Sequence, residues 1–150
     1  MMLENEPLHI ILADDDETDR LIFKEAFEEL KIKTIVQTVN NGMQLLSLLS
    51  KKDTQLPHLL FLDLNMPRKN GIECLKEIRG NPRFKAISIA IYSTAASEKD
   101  MEETFRNGAN VYIKKPNDFQ VLKQALEKVV RTASQYQYPP FNKENFLLRV

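Results

Sequence analysis

Apolar and polar positions fall into two alternating kinds of block along this chain. The first kind is a short apolar run that stops abruptly at polar residues. Residues 8–13 (LHIILA) end at Asp14, Asp15, Asp16 and Glu17, and residues 59–62 (LLFL) end at Asp63. Residues 87–92 (ISIAIY) deliver Ser93 and Thr94, and residues 111–113 end at Lys114, Lys115 and Pro116. Runs of this length read as buried strands carrying chemistry at their C-terminal ends. A fifth candidate strand, 35–39, is closed by the turn signal Asn41-Gly42.

The second kind of block has helical spacing. Ile22, Phe23, Ala26, Phe27 and Leu30 recur along 18–30, and four leucines fill 43–49. Ile72, Leu75 and Ile78 mark a helix to Arg79, which Gly80, Asn81 and Pro82 terminate. Ser97 is a good N-cap for a helix reaching Asn107, with Gly108 at its C-terminal end. Phe119, Leu122, Ala125, Leu126 and Val129 line one side of a last helix over 118–131. Residues 51–57 are polar and end in proline, as suits a surface connection.

Five strands alternating with five helices predict a parallel sheet covered on both faces and wound by right-handed crossovers. Ligands of such open sheets bind beyond the C-terminal ends of the strands. Here those ends carry acids, a hydroxyl and a lysine. The region 1–131 is expected to form this domain. Residues 132–150 read as a short aromatic tail (Tyr136, Tyr138, Phe141, then the apolar patch Phe146 to Leu148), favouring packing back on the fold over docking on a partner.

Composition narrows the function. The chain has 150 residues, 43% hydrophobic and 28% charged, which suits one soluble domain. Lys plus Arg and Asp plus Glu are both 21, so no bulk charge argues for nucleic-acid binding. No apolar run approaches the roughly 20 residues of a membrane span, and the start, MMLENEP, does not resemble a signal peptide. A lone cysteine, Cys74, excludes an internal disulfide and a cysteine metal cage, and it reads as a small buried hydrophobe. A cytoplasmic protein without direct contact to nucleic acid or membrane is expected. His9 and His58 are assigned no role.

If Asp14, Asp15 and Asp63 converge, their mutual repulsion calls for a cation, and a hard divalent ion with oxygen ligands fits. Asp63 could then attack a phosphoryl group, Lys115 could neutralise one of its oxygens, and Ser93 could donate to another. Each element alone has a plainer reading: acids at a helix N-terminus, a strand-end acid, turn residues at Asn65 and Gly71, solvated lysines, a half-buried aromatic at Tyr112. Their co-occurrence favours the site.

The segments ILADDD, LLFLDLNMPRKNG, AIYSTA and YIKKP, in this order and spacing from about Leu8 to Arg131, resemble the signature elements of the response-regulator receiver family of two-component signalling. The resemblance implies a flavodoxin-like sheet of order 2-1-3-4-5. It implies Asp63 as phosphoacceptor, with Asp14 and Asp15 as the acidic pair binding Mg2+ (Mn2+ as a substitute) and Asn65 adding a backbone-carbonyl ligand. Ser93 becomes the switch hydroxyl, Lys115 the phosphoryl-binding lysine, Pro116 the residue after a cis peptide, and Tyr112 an aromatic switch that turns inward. Lys115 is preferred to Lys114 because it precedes the proline and alternation turns Lys114 away; Ser93 is preferred to Thr94 by spacing. Ala95 offers no side chain to orient a hydrolytic water, leaving dephosphorylation to Asn65 and solvent.

The implied function is a stand-alone receiver, not an enzyme beyond self-phosphorylation from small donors and autodephosphorylation. Its donor would be a histidine kinase or a histidine phosphotransfer protein. Its output would be a protein contact or onward phosphotransfer, with the fourth helix, fifth strand and fifth helix as the signalling surface and as a candidate homodimer face. The alternatives are a magnesium-dependent phosphatase or phosphotransferase with an aspartyl nucleophile, and a receiver-shaped scaffold that is never phosphorylated.

Overall fold

A computed structural model describes residues 6–133 and 146–148. Its elements in chain order are β1 (Leu8–Ala13), α1 (Glu17–Glu29), β2 (Thr34–Val39), α2 (Gly42–Ser50), β3 (Leu59–Leu62), α3 (Gly71–Arg79), β4 (Ser88–Ser93), α4 (Glu98–Arg106), β5 (Val111–Lys114) and α5 (Phe119–Ala133). The strands form one parallel sheet in the order β2-β1-β3-β4-β5. This is the flavodoxin-like order that the resemblance implies, on the doubly covered parallel sheet that the alternation predicts.

Period-two alternation along the strands builds two cores, one on each face. Ile11, Ala13, Leu60, Leu62, Ile89 and Ile91 point to the side packed by Leu45 and Leu49 of α2 and by Cys74, Leu75 and Ile78 of α3. Ile10, Leu12, Leu59, Phe61, Ala90 and Ile113 point to the other side, against Phe23, Ala26 and Phe27 of α1 and Leu122, Leu126 and Val129 of α5. The central strands are buried on both faces, so their sequences read as continuous apolar runs.

The helices begin where side chains satisfy their free N–H groups. Asp16 caps α1 by accepting from Asp19 N, Asn41 caps α2, and Ser97 caps α4. Asn70 and Glu73 form a reciprocal capping box on α3. A short 3-10 helix, Pro82–Phe84, follows α3 where the sequence suggested only a terminator.

Several boundaries move. Helix α5 runs past Arg131 to Ala133, Ser93 is the last residue of β4, and Lys114 ends β5. The tail positions Tyr136, Tyr138, Pro139, Pro140 and Phe141 lie outside the described residues. Phe146 is buried against Phe105 and Tyr112, with ring centroids 5.3 and 6.0 Å apart. Leu147 bridges Tyr112 in parallel, and Leu148 N donates to Tyr112 O at 2.9 Å. This part of the tail therefore packs on the fold. No helix among the described residues is long and apolar enough to cross a membrane.

Candidate functional site

Parallel register carries three acids to one edge. Asp14 N bonds to Val39 O and Asp63 N to Ala13 O, extending the ladders one residue past β1 and β3. Each ladder ends on a short, stiff side chain whose position the backbone dictates. Oxygens of Asp14, Asp15 and Asp63 consequently lie within 4.8 Å of one another. Asp14 and Asp63 are buried and Asp15 is exposed, so the cluster has two walls and an open mouth.

The fourth charged group comes from β5. Lys114 is exposed, and the next residue, Lys115, sends its ammonium back across the sheet edge. Nζ lies 2.9 Å from Asp14 Oδ2, 2.9 Å from Asp19 Oδ2 and 3.7 Å from Asp63 Oδ2. It also sits 5.2 Å from the centroid of the Tyr92 ring, an aromatic floor under the ammonium. Arg20 Nη1 donates to Asp14 O at 2.8 Å.

Burial pushes the Asp63 carboxyl up to about 7; Lys115 opposes this, Asp14 reinforces it, and an N–H from Asn65 stabilises the ionised form. Burial alone would discourage charge on Lys115, but the close contacts with Asp14 and Asp19 and the charges of Asp14 and Asp63 outweigh it and hold the ammonium protonated well above its usual range. Burial likewise raises Tyr92 and Tyr112.

The donor set fits a hard divalent cation. It offers three carboxylates and no histidine or cysteine. Asp14 Oδ2 is buried and has no hydrogen-bond donor, although the Lys115 charge is beside it. A buried carboxylate oxygen that lacks a directed hydrogen bond can take a further cationic partner.

The loop after Asp63 returns tightly to α3. Asn65 N donates to Asp63 Oδ1 at 3.3 Å, and the Asn65 side chain is exposed. Arg68 adopts a positive φ of 69°. Gly71 is the first residue of α3, where the sequence suggested a turn. A Cβ there would lie 2.4 Å from Asp63 O and 2.7 Å from Leu64 Cα, so only glycine lets the helix approach the acid-bearing strand end.

On the other side, Ser93 is buried while Thr94 and Ala95 are exposed. Ser93 Oγ accepts from Ala95 N at 3.3 Å, and Tyr112 Oη donates to Ala95 O at 2.7 Å. Tyr112 is fully buried, against the half-buried alternative, because Phe146 packs on it. The Lys115–Pro116 bond is trans, not cis as the resemblance implies; no described peptide bond is cis. The isomers of an X–Pro bond differ by only about 0.5–1 kcal/mol, so the residue pair does not dictate the choice.

The residue that sequence reasoning missed is Asp19. It stands in the first turn of α1, three residues after the N-cap Asp16, next to the strand ends. An acid in the first turn of the helix that follows the acidic strand end was the available signal.

The family model for the response regulator receiver domain matches residues 10–127. The chain belongs to the response regulator receiver family. Chemotaxis protein CheY1 of Helicobacter pylori is 31% identical over 125 residues, covering 83% of this chain and 98% of that one. Among solved structures, the Mn(2+)-bound form of response regulator Rcp1 superposes with a TM-score of 0.75 at 26% identity, covering 82% of this chain and 91% of that one. The phosphorylated cyanobacterial phytochrome response regulator RcpA gives a TM-score of 0.80 at 28% identity, covering 91% and 100%. Receiver domains are signalling domains of two-component systems, and their general partners are histidine kinases or phosphotransfer proteins.

Proposed function

We propose that Asp63 accepts a phosphoryl group from a phosphohistidine on a kinase or phosphotransfer protein, and that the modification is read by a protein partner. The observation that carries this is the meeting of Asp14, Asp15 and Asp63 within 4.8 Å, with the Lys115 ammonium beside them. An Asp63 oxygen attacks phosphorus, and the bond from phosphorus to the donor's ring nitrogen breaks. Its electron pair stays on that nitrogen, which takes a proton from solvent. Lys115 then holds one phosphoryl oxygen as a point charge, and the Ser93 hydroxyl donates to another.

Asp14, Asp15, Asp63 and the Asn65 carbonyl would hold magnesium, or manganese as a substitute. Bound there, the ion supplies the positive charge that lets neighbouring carboxylates ionise together. Small phosphodonors reach Asp63 through the open mouth. Water attacking phosphorus later breaks the bond to the Asp63 oxygen and returns the carboxylate; Asn65 is the neighbouring side chain that can orient that water, since Ala95 cannot. The protein acts in the cytoplasm.

The switch follows from the contacts of Ser93. Donating to a phosphoryl oxygen draws Ser93 from Ala95, and Ala95 O is where Tyr112 is anchored. Displacing that loop disturbs Tyr112 and hence the surface of α4, β5 and α5, a two-state element both ends can bias. A downstream protein, or a second copy, reads that surface.

Acetyl phosphate with magnesium chloride, followed by intact-mass spectrometry, tests the reading. One added phosphoryl group, absent in Asp63→Asn and without Mg2+, is the expected result. Turnover of many phosphoesters with no adduct would establish the phosphatase alternative. An unmodified chain would leave the scaffold.

A further inference from the structure

The Lys115 ammonium has one well-directed hydrogen bond in the site, and it is to Asp19 Oδ2 at 2.9 Å. Asp14 Oδ2 is equally close to Nζ and fully buried, but its contact is an ion pair without the angle of a directed hydrogen bond. Asp63 Oδ2 stands off at 3.7 Å. The lysine is thus shared unevenly: Asp19 takes the directed bond, while the Oδ2 atoms of Asp14 and Asp63 have its charge nearby without a directed hydrogen bond from it; their Oδ1 atoms accept from Asp16 N and Asn65 N.

Asp19 is held for this by α1. Its N–H is bonded to the N-cap Asp16 at 3.0 Å, fixing the first helical turn against the strand ends. Its side chain is about one-third exposed, 32%, so it sits at the rim while Asp14 lies on the floor. An exposed acid is the cheaper place for the lysine's hydrogen bond, because Asp19 can exchange it for water.

We propose that Asp19 is a positioning residue for Lys115: it takes the ammonium's directed hydrogen bond at the rim in the resting protein and so limits the lysine's competition with a divalent cation for the buried oxygens of Asp14 and Asp63. When a phosphoryl group occupies Asp63, Lys115 turns to it and Asp19 passes to solvent. The proposal rests on reading the three acids as a cation site, and it adds a residue outside that cluster which governs the site through the lysine.

Without Asp19, the lysine's free N–H turns onto Asp14 Oδ2 or Asp63 Oδ2 and competes with the ion. Magnesium chloride titrated calorimetrically into the whole chain should bind Asp19→Asn about three- to tenfold more weakly, the range for losing a partly exposed ion pair and gaining a competitor. Asp19→Glu should recover most of the affinity. Glu17→Gln removes the same charge from the same turn, without a described contact to Lys115, and should leave affinity unchanged.

A double-mutant cycle separates positioning from plain charge loss. In a Lys115→Ala background, Asp19→Asn should change magnesium affinity by less than about twofold, since there is no ammonium left to misplace. An equal drop in both backgrounds, or no drop in the Asp19→Asn single variant, overturns the proposal. A parent protein that binds no magnesium at all overturns it together with the cation reading. Phosphoryl acceptance is measured separately by mass, so its loss with the cycle intact refutes only the functional reading.

Discussion

Replacing Asp63 with asparagine should stabilise the metal-free protein, and more so as pH rises. The carboxyl titrates near 3.8 when free and is pushed up to about 7 here, chiefly by burial and with Asp14 adding to it. Below the lower value both states are protonated and Asp63 costs nothing. Between the two, the folded state binds a proton that the unfolded state has lost, so stability falls as pH rises. Above about 7 the cost is complete. Three units correspond to about 4 kcal/mol at ~1.36 kcal/mol each, and the open mouth of the site reduces this by about half through solvent screening. Asparagine keeps the shape and the Asn65 contact but carries no charge. Urea unfolding in EDTA should therefore show Asp63→Asn more stable than the parent by about 2 kcal/mol at pH 8 and by about 1 kcal/mol or less at pH 5. Added magnesium should narrow the gap, because it stabilises the parent by mass action, about 1.4 kcal/mol at tenfold excess over its dissociation constant. Equal effects at both pH values, or destabilisation at pH 8, would refute the claim that Asp63 is held in an unfavourable charged state.

Three further outcomes follow from single contacts. Gly71→Ala places a Cβ against the Asp63 carbonyl and should lower stability by about 1–3 kcal/mol as an overpacking change, with loss of phosphoryl uptake measured on the same sample. Arg79 Nε and Nη2 donate to Gly108 O and Ile87 O at 2.8 Å, and Nη2 to Asn110 Oδ1 at 3.0 Å; Arg79→Ala should cost about 2–4 kcal/mol by leaving these acceptors unpaired, read from the urea midpoint. His58 Nδ1 accepts from His9 N, and burial followed by the charge of His9 lowers its pKa; since the unfolded state protonates first, stability falls as pH drops below 6.5. His58→Gln should flatten that part of the pH profile in thermal melts.

The fold was legible because the sheet is parallel and central. Strands covered on both faces must be apolar throughout, so 8–13, 59–62 and 87–92 announce themselves without alternation. The helices were legible from their apolar stripes and, for α4, from its Ser97 cap. Boundaries shifted where polar residues continue a ladder: Ser93 and Lys114 pair with each other across β4 and β5 despite their polarity. The anchoring of α3 was not legible. Arg79 looks like an ordinary last-turn cation, and its four carbonyl or amide partners lie 5, 8, 29 and 31 residues away along the chain. The packing of Phe146 on Tyr112 was likewise beyond reach, since nothing local marks an apolar tail residue as the lid of a particular ring.

Within the site the same division runs between short and long side chains. An aspartate following a strand has its carboxylate within a few ångströms of a backbone position that register dictates, so Asp14 and Asp63 could be placed together from the ends of two apolar runs. A lysine carries its charge on a four-carbon stem, and where the ammonium settles depends on which acceptors compete for it. Sequence order puts Lys115 at the right strand end but cannot say that Asp19, on the first turn of α1, wins its directed hydrogen bond over Asp14 at the same 2.9 Å. That outcome turns on the difference between a buried acceptor and a rim acceptor. Only the folded arrangement of α1 against β1 and β5 creates this difference, and it leaves a buried carboxylate oxygen beside the ammonium without a directed hydrogen bond.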